Sequence, residues 1–313
     1  MKRTTILPLV QAFLAVAMWG ASFVATKVAL RYLAPDMLVW LRFAMGLALL
    51  GVVVAARKQF ELPRRADIPY FALLGALGIT FHQWLQSNGL VTAQATTSAL
   101  IVTMSPIFMV LLGWLVLKEK LSALQAVGIL LSLSGVLLVI SRGDLRALVG
   151  GQIVTMGDFL VMISALNWAV FSILSRRGLK EHPAARMMFF IMAYGWVFST
   201  LLFLFRQPLD MSVNMPLEGW LNLLFLGIFC SGLAYIFWFD ALKSVPASQV
   251  GVFLYVEPLI TVLVAWAVLG ERLNWASLIG GAVILAGVWM VNRPTAPPRA
   301  ASTAEAIVTE SAD

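Results

Sequence analysis

Cysteine and histidine are scarce in this sequence of 313 residues, which contains one cysteine, Cys230, and two histidines, His82 and His182. One cysteine cannot form an internal disulfide, and its place in an apolar run predicts a buried packing residue. The histidines lie in different segments, and the sequence contains neither a His-Glu-x-x-His pair nor a Gly-x-x-x-x-Gly-Lys loop. These absences argue against a metal centre, a bound cofactor, an enzyme and an ATP-driven pump.

Charged residues are also scarce, which excludes a soluble globular domain. They make up 12% of the chain, hydrophobic residues make up 61%, and the mean hydropathy is +0.91. Soluble domains have about 25% charged and about 45–50% apolar residues. The apolar runs are about 20 residues long and lack the alternation of a barrel strand, so each suits a helix that crosses about 30 Å of hydrocarbon. The sequence predicts an all-α integral membrane protein in a lipid bilayer.

Ten such runs can be drawn, and they predict ten transmembrane helices. Their ranges are 7–30, 37–56, 68–88, 95–117, 122–141, 155–175, 187–205, 217–238, 245–269 and 274–292. The residues that follow are rich in proline and small polar side chains and cannot bury enough apolar surface to order themselves. Residues 293–313 are therefore predicted to form a disordered cytoplasmic tail.

The two halves of the chain repeat each other. An offset of 152 residues aligns Pro106 with Pro258, Glu119 with Glu271, Gly128 with Gly280 and Gly135 with Gly287. Trp19 aligns with Trp168 at an offset of 149. Several matches in one register indicate duplication, so we predict one five-helix repeat in residues 1–146 and a second in residues 147–292. Because five is an odd number, the two repeats must have opposite orientations in the membrane.

The loop cations predict this orientation. With a cytoplasmic N-terminus, the outer loops contain five of the 22 lysines and arginines, namely Arg31, Arg142, Arg146, Arg206 and Arg272. Lys27 and Arg42 lie within or near spans, and the other fifteen cations fall in inner segments. The positive-inside rule then predicts two cytoplasmic termini and an outer loop from Arg142 to Gln152. This distribution also explains the net charge of +7 without a nucleic-acid partner.

Several segments carry a family resemblance. They are Trp19-Gly20 with Phe23 and Lys27, Pro35 with Arg42-Phe43, the prolines Pro106 and Pro258, Glu257-Pro258, and Leu269-Gly270-Glu271-Arg272. Together they resemble the EamA family of the drug/metabolite transporter superfamily over nearly the whole chain. The first repeat departs from the Gly-Glu-Arg pattern, because it reads Lys118-Glu119-Lys120.

The resemblance implies a ten-helix secondary transporter of the bacterial inner membrane. Many members of the family are similar exporters of amino acids and related metabolites, and others in the superfamily move sugars, nucleotide sugars or drugs. A small-molecule substrate is therefore expected, while its identity stays open. The oligomeric state also stays open, and a monomer is one of the possibilities.

Trp19 and Trp168 are the first candidates for a substrate site. Each lies about 18–20 Å from the start of its span at 1.5 Å per residue, near the bilayer midplane. Tryptophan usually occurs at membrane interfaces, so two symmetry-related indoles at this depth predict the wall of a central cavity. The alternative is that each indole fills space between helices and donates its N–H to a nearby carbonyl.

The third span is unusually polar and supplies further candidates. His82 and Gln86 are four residues apart and share one helix face, so both are predicted to line the cavity. For Gln83, an interhelical hydrogen bond is the favoured interpretation. The repeat places Tyr235 and Trp238 of the eighth span near the equivalent positions. One amide-rich wall and one aromatic wall suit a zwitterion with a hydrophobic side chain.

Pro106 and Pro258 each remove a backbone donor and are predicted to bend the fourth and ninth spans. Such a bend acts either as a hinge or as a fixed curved scaffold, and both interpretations remain open. Thr103 and Tyr255, three residues before each proline, are predicted to face the substrate beside the bends.

Three charged residues within the spans each have two interpretations. Lys27 and Arg42 are candidates for counter-charges of a substrate carboxylate, although snorkelling to the interface is favoured for Lys27. Glu257 lies deep in the ninth span, and its counterpart in the first repeat is Ser105. It either exchanges a proton as the cavity alternates, which would couple export to the proton gradient, or stays permanently protonated or hydrogen-bonded and ties the bent helix to a neighbour near Pro258. The structural role is favoured, because Glu-Pro is part of the family resemblance while coupling need not be uniform, and structural networks also perturb the pKa of buried groups.

As a whole, the sequence predicts a secondary active transporter that exports small metabolites by alternating access around a midplane cavity. Amino acids with hydrophobic or aromatic side chains, or related zwitterions, are the favoured substrates. Two alternatives share the same fold. One is a transporter of drugs or other metabolites, and the other is a channel-like uniporter, which would conduct without saturation or counterflow.

Overall fold

The computed structural model describes residues 3–118, 121–144, 155–206, 215–245 and 250–292. Through these residues run ten helices: α1 (Arg3–Ala29), α2 (Pro35–Ala56), α3 (68–92), α4 (95–117), α5 (Ala123–Ile140), α6 (Met156–Glu181), α7 (Ala184–Arg206), α8 (Leu217–Ser244), α9 (252–269) and α10 (Trp275–Val291). A helix occupies each of the ten predicted spans.

Most of these helices are suited to a membrane by length and composition. Seven of the described helices are long and apolar enough to cross it, and α9 and α10 are apolar but shorter. In α3 the polar side chains of His82, Gln83, Gln86 and Asn88 interrupt the apolar sequence. The prediction of an all-α membrane protein with ten helices is confirmed.

The packing of α5 against α10 reflects the duplication. A Cβ added at Gly128 would lie 2.7 Å from the Gly287 carbonyl oxygen, and one added at Gly280 would lie 2.7 Å from the Gly135 carbonyl oxygen. These distances leave no room for a side chain, so the two backbones approach as closely as small residues allow in a membrane. The exchange of equivalent partners is the pattern expected of a two-fold relationship.

The helix ends follow the same register of 152 residues. Ser122 begins α5 with a capping box, and Asn274 begins α10 with its side-chain oxygen accepting from the Ser277 N–H at 2.7 Å. Lys118 and Gly270 end α4 and α9 in the left-handed conformation, with φ of 55° and 65°. Lysine therefore occupies a position whose backbone favours glycine.

Both α4 and α9 are interrupted beside their prolines. Their pieces are Ala95–Val102 and Ser105–Leu117 in α4, and a 3₁₀ segment Val252–Val256 and an α-helix Glu257–Leu269 in α9. The carbonyls that Pro106 and Pro258 leave free find local donors, as the lost backbone bond requires. Val102 O accepts from Ser105 Oγ at 2.7 Å, and Leu254 O accepts from the Glu257 N–H. Whether these interruptions act as hinges stays a prediction.

The helices α3 and α8 each contain a π-helical segment that the sequence did not predict. The segments are Ala76–Phe81 and Phe225–Leu233, which occupy equivalent positions of the two repeats. π-helical turns disturb the regular pairing of backbone groups and are frequent at functional sites. They lie directly before His82 in α3 and shortly before Tyr235 in α8.

Helices of the two repeats interleave, and α3 and α6 run antiparallel. Tyr70 near the start of α3 donates to the Leu174 carbonyl at 2.7 Å, and the Gly157 N–H at the start of α6 donates to Thr92 Oγ1 at 3.1 Å. We call the end of the bundle where α3 begins and where α6 and α8 finish the mouth end. The opposite end, at the corner between α3 and α4, is the far end.

Some predicted features lie outside the described residues. They are the boundary between the repeats at 146/147, Glu119, Gln152 at the end of the predicted outer loop, and the tail 293–313. The assignment of residues 1–146 and 147–292 to the two repeats therefore stays a prediction.

Candidate functional site

A cavity of about 400 Å³ lies between the two repeats. Its walls include nine residues that are discussed above as candidates, namely Trp19, Arg42, His82, Gln83, Gln86, Trp168, Tyr235, Trp238 and Glu257. The volume falls in the range of about 300–1,000 Å³ that small-molecule sites occupy, and such sites combine apolar walls with a few polar groups. Both repeats therefore contribute to one cavity of the size that a small metabolite needs.

The cavity extends from the middle of the bundle to the mouth end. Leu179 and Leu242 line it near the ends of α6 and α8, and so does Arg176, which is exposed. On α1 and α3 the lining ends at Phe23 and Gln86, before these helices reach the far end. Access is therefore from the mouth end.

Trp19 fits both interpretations given above, because it forms part of the cavity wall and its N–H also donates to a nearby carbonyl. Its ring lies 5.5 Å from the Tyr235 ring and 5.4 Å from the Trp238 ring, so these three side chains form one aromatic wall. Its Nε1–H donates to the Cys230 carbonyl at 3.1 Å. Cys230 belongs to the π-helical segment of α8, so the indole also ties α1 of the first repeat to the second.

His82 and Trp168 form the facing part of the wall. Their rings are 5.0 Å apart, and Phe171 lies 5.1 Å from Trp168. The Nδ1 atom of His82 is 3.1 Å from the Ser164 carbonyl. Because a carbonyl only accepts, Nδ1 carries the hydrogen, and the neutral ring then offers Nε2 as an acceptor. For the Trp168 N–H, no hydrogen bond to the described residues is found.

Arg42 is buried in the cavity wall, with 3% of its surface exposed. Its Nε–H donates to Ser231 Oγ at 2.9 Å and its Nη1 donates to Gln83 Oε1 at 3.2 Å. The guanidinium carbon also lies 5.3 Å from the centre of the Phe43 ring. The interhelical hydrogen bond predicted for Gln83 is confirmed, and Gln83 lines the cavity as well.

Thr103, Tyr255 and Pro106 line a smaller pocket of about 50 Å³, which shares Trp168 and Glu257 with the main cavity. Both predicted hydroxyl groups already donate within the protein. Thr103 Oγ1 donates to the Ala99 carbonyl at 2.8 Å, and the Tyr255 hydroxyl donates to the Val288 carbonyl at 3.2 Å. Their contact with substrate stays a prediction.

Pro258 is buried in α9 and is not among the residues that line either pocket. Glu257, directly before it, lines both. No hydrogen bond or ion pair of the Glu257 carboxyl is found among the described residues, so the predicted tie to a neighbouring helix is not seen there. The carboxyl faces the cavity instead.

Lys27 belongs to the far end and does not line the cavity. Its ammonium donates to the carbonyls of Ala93 and, at 3.5 Å, of Leu90. These carbonyls lie at the C-terminal end of α3, where the helix has no further backbone donors to offer. Lys27 therefore caps α3. The position of Lys27 along its own span could not indicate this contact with another helix.

Arg57 and Asp240 connect the repeats at the mouth end. The guanidinium donates from Nη1 to Oδ1 at 2.8 Å and from Nη2 to Oδ2 at 2.6 Å. This hydrogen-bonded pair raises the pKa of the Arg57 guanidinium above its usual value. Bidentate arginine–carboxylate pairs are the geometrically specific kind, so this pair fixes the end of α2 against α8.

One face of α6 lines the cavity, and Trp168 is the one residue of this face that was predicted to do so. This face consists of Trp168, Phe171, Ser172, Ser175, Arg176 and Leu179. The spacing of three and four residues is that of one helical stripe. The helical spacing of these residues was therefore visible in the sequence. Arg176 was included there only among the fifteen cations of the inner segments.

The arrangement is suited to non-covalent binding rather than to metal chemistry. Within the part of the chain that the structure describes, no group of three or more histidine, cysteine or acidic residues is placed to hold a metal ion. The cavity instead offers aromatic rings, two amides, an imidazole, the guanidinium groups of Arg42 and Arg176, and a carboxyl. These groups can surround an amphipathic small molecule and hydrogen-bond to its polar end.

Comparisons with known proteins agree with this architecture. An uncharacterised transporter of Archaeoglobus fulgidus is 28% identical over 277 residues, which cover 88% of this chain and 94% of that protein. A probable terminal-alkyne amino-acid exporter of Streptantibioticus cattleyicolor is 28% identical over 282 residues, which cover 90% and 92%. One protein of known crystal structure shares the fold at 22% identity, with a TM-score of 0.64 over 91% of this chain and 97% of its own.

The family model for EamA-like transporters matches the chain twice, over residues 6–141 and residues 155–293. These two matches correspond to α1–α5 and α6–α10 and account for the equivalent π-helical segments and caps of the two halves. The chain is thus a multi-pass membrane transporter rather than an enzyme, and it belongs to the EamA-like transporter family.

Proposed function

We propose that the chain is a secondary active transporter that exports small metabolites across the bacterial inner membrane, with amino acids and related zwitterions as the favoured substrates. The observation that carries the proposal is the cavity of about 400 Å³ whose walls come from both repeats. In inverted-repeat transporters, one repeat moves against the other around a site between them. A site shared in this way changes its access when the repeats move.

The direction of transport is proposed from the orientation. The cation distribution favours cytoplasmic termini, and α6 and α8 then finish on the cytoplasmic side. The mouth end faces the cytoplasm in that orientation, so this conformation is the one in which an exporter takes up its substrate. The far end, where Glu271 caps α4, faces the outside.

The favoured substrate class follows from the chemistry of the walls. Trp19, Tyr235 and Trp238 offer an apolar surface to a side chain, while Arg42 offers a guanidinium to a carboxylate and Glu257 offers a carboxyl to an amine. A relative with a similar chain is named a probable amino-acid exporter. Both observations support amino acids as the favoured substrates.

A transporter of drugs is the second candidate, because aromatic and aliphatic side chains dominate the cavity walls and suit a hydrophobic compound. A channel-like uniporter is less well supported. The cavity has its access at the mouth end, and the helix caps of Lys27 and Glu271 occupy the far end.

Counterflow in vesicles tests the proposal. Purified protein is reconstituted into vesicles loaded with an unlabelled amino acid mixture, and uptake of labelled amino acids is followed one by one. We expect saturable, transient accumulation for a subset of them. Trp168→Ala should lose it, whereas Arg177→Gln should keep it, because the Arg177 side chain is 79% exposed and does not line the cavity.

Two results would contradict parts of the proposal. Flux that rises linearly with concentration and shows no counterflow would establish a channel. Saturable counterflow of hydrophobic drugs, with none for any amino acid, would establish the second candidate. In cells, export further predicts reduced accumulation of the labelled substrate and higher tolerance to its toxic analogues.

A further inference from the structure

Arg42 is the most deeply buried charged side chain in the cavity wall, and no carboxylate among the described residues forms an ion pair with it. Only 3% of its surface is exposed. The ion pairs among the described residues do not include it, and Glu257 is the one acidic residue among those that line the cavity. A buried charge without a partner is unfavourable unless something else supplies the opposite charge.

The hydrogen bonds of Arg42 leave part of the guanidinium available. A guanidinium has five N–H donors, and two of its nitrogens, Nε and Nη1, donate to Ser231 and Gln83. Both acceptors are neutral, and they come from α8 and α3, on either side of α2. They hold the planar group in place, while the Nη2 group has no partner among the described residues. A guanidinium fixed in this way is prepared to bind a carboxylate.

We propose that Arg42 is the anion anchor of this cavity and that it restricts the substrates to molecules with a carboxylate group, zwitterionic amino acids included. The inference rests on the proposed function, because it assumes that the cavity is the transport site. It narrows the substrate class, since compounds without an anionic group gain nothing from Arg42 and cations are repelled by it. Gln83 and Ser231 are the residues that position the guanidinium.

The alternative is that Arg42 only connects helices. Its bonds to Gln83 and Ser231 join α2 to α3 and α8, and such a bridge would stabilise the protein whatever the substrate. The two roles differ in one measurable property. A bridge affects all ligands equally, whereas an anchor discriminates between a carboxylate and a neutral group at the same position.

Matched pairs of probes make this distinction. Each pair is an amino acid and its amide, such as L-phenylalanine with L-phenylalaninamide and L-leucine with L-leucinamide, so that only the carboxylate changes. Affinity is measured by competition and by quenching of the tryptophans that line the cavity. For the wild type, we expect the acid to bind at least about tenfold more tightly than the amide, a difference of about 1.4 kcal/mol.

Substitutions of Arg42 then show whether Arg42 causes the preference for the acid over the amide. Arg42→Gln should abolish it, so that acid and amide bind within about twofold of each other, because the acid loses the guanidinium and the cationic amide is no longer repelled by it. Arg42→Lys keeps the charge without the planar fork and should retain part of the preference. Arg177→Gln removes an exposed cation outside the cavity and should leave the preference intact.

The wild-type measurement can overturn the anchor even if Arg42→Gln fails to fold. Equal binding of acid and amide by the wild type, or no binding of any acid, overturns the anchor. A folded Arg42→Gln protein that weakens both members of each pair equally establishes the bridging role instead. Failure of the proposed function looks different, because the wild type would then show no counterflow with any metabolite.

Discussion

The carboxylate of Glu271 accepts hydrogen bonds from both the N–H and the hydroxyl of Thr96, at 3.1 and 2.9 Å, and a third from the Ala95 N–H at 3.0 Å. A loop of the second repeat thereby caps α4 of the first. Lys27 caps the neighbouring end of α3. Because uncapped helix ends leave backbone groups unsatisfied, these contacts stabilise the far end in this conformation, and we expect its opening to break the Glu271 cap.

Glu271→Ala should therefore favour opening of the far end. Loss of a helix cap costs about 0.5–2 kcal/mol of stability, and here that cost falls on the closed conformation. In a Cys230→Ala background, a cysteine at Phe23 should react faster with a maleimide added from the far side. Glu218→Ala is the control, because Glu218 contacts Tyr32 near the end of α1 and does not cap α4. An unchanged labelling rate in folded Glu271→Ala protein would contradict this role.

The two midplane tryptophans should respond differently to substitution. Trp19 donates a hydrogen bond across the repeats, whereas no such bond is found for Trp168 among the described residues. Trp168→Phe should keep the wild-type stability, while Trp19→Phe should lose about 1 kcal/mol, the usual contribution of a hydrogen bond. Thermal unfolding in detergent measures the difference.

Transport measurements distinguish a tryptophan that lines the substrate site from one that only packs between helices. Trp168→Ala should lose flux while expression and detergent stability are kept, because its side chain lines the cavity. His82→Ala should lose flux and some stability together, because His82 also hydrogen-bonds to the Ser164 carbonyl of the other repeat. Trp19→Ala should lose flux and some stability together. If the loss of flux in Trp168→Ala is matched by the loss of folded protein, its role is packing.

The sequence was sufficient to predict the helices and some of the aromatic and amide residues that line the cavity, but not Phe171 or Phe239. Hydropathy and the offset of 152 residues are local and repeated signals, and Trp19, Trp168 and His82 stand out by their depth. The π-helical segments could not be predicted, because a shift in backbone pairing leaves no mark in hydropathy. Arg42 remained ambiguous, since depth alone does not tell whether a cation reaches the interface or the interior.

The left-handed conformation of Lys118 predicts a stabilising substitution. A residue with a side chain is strained at φ of 55°, and Gly270 is found at the equivalent position of the second repeat. Lys118→Gly should raise the free energy of unfolding by about 0.5–1 kcal/mol, and Gly270→Lys should lower it by a similar amount. The melting temperatures of the two variants should therefore move in opposite directions from that of the wild type.

The topology gives a prediction that is independent of transport. Both termini should be cytoplasmic, with Arg142 outside and Lys58 inside. In a Cys230→Ala background, an impermeant maleimide should label a cysteine at Arg142 in intact cells, and one at Lys58 only after the cells are opened. A C-terminal reporter that is active in the periplasm would show that the orientation is reversed.

Glu257 is the residue on which any coupling to the proton gradient is predicted to depend. Its carboxyl lines both pockets, and no partner for it is found among the described residues. The sequence favoured a structural role in which Glu257 is tied to a neighbouring helix, and no such contact is found among the described residues. A carboxyl that faces a cavity with alternating access can bind a proton on one side and release it on the other.

Glu257→Gln decides between these roles, because glutamine keeps the size and hydrogen bonding of the side chain but cannot carry a proton. We expect the variant to exchange labelled for unlabelled substrate at close to the wild-type rate, since exchange needs no net proton movement. Export driven by an imposed pH gradient should fall to the level seen without a gradient. Ser105→Ala, at the equivalent position of the first repeat, is the matched control and should respond to the gradient. A Glu257→Gln protein that responds as the wild type does would leave Glu257 with a structural role.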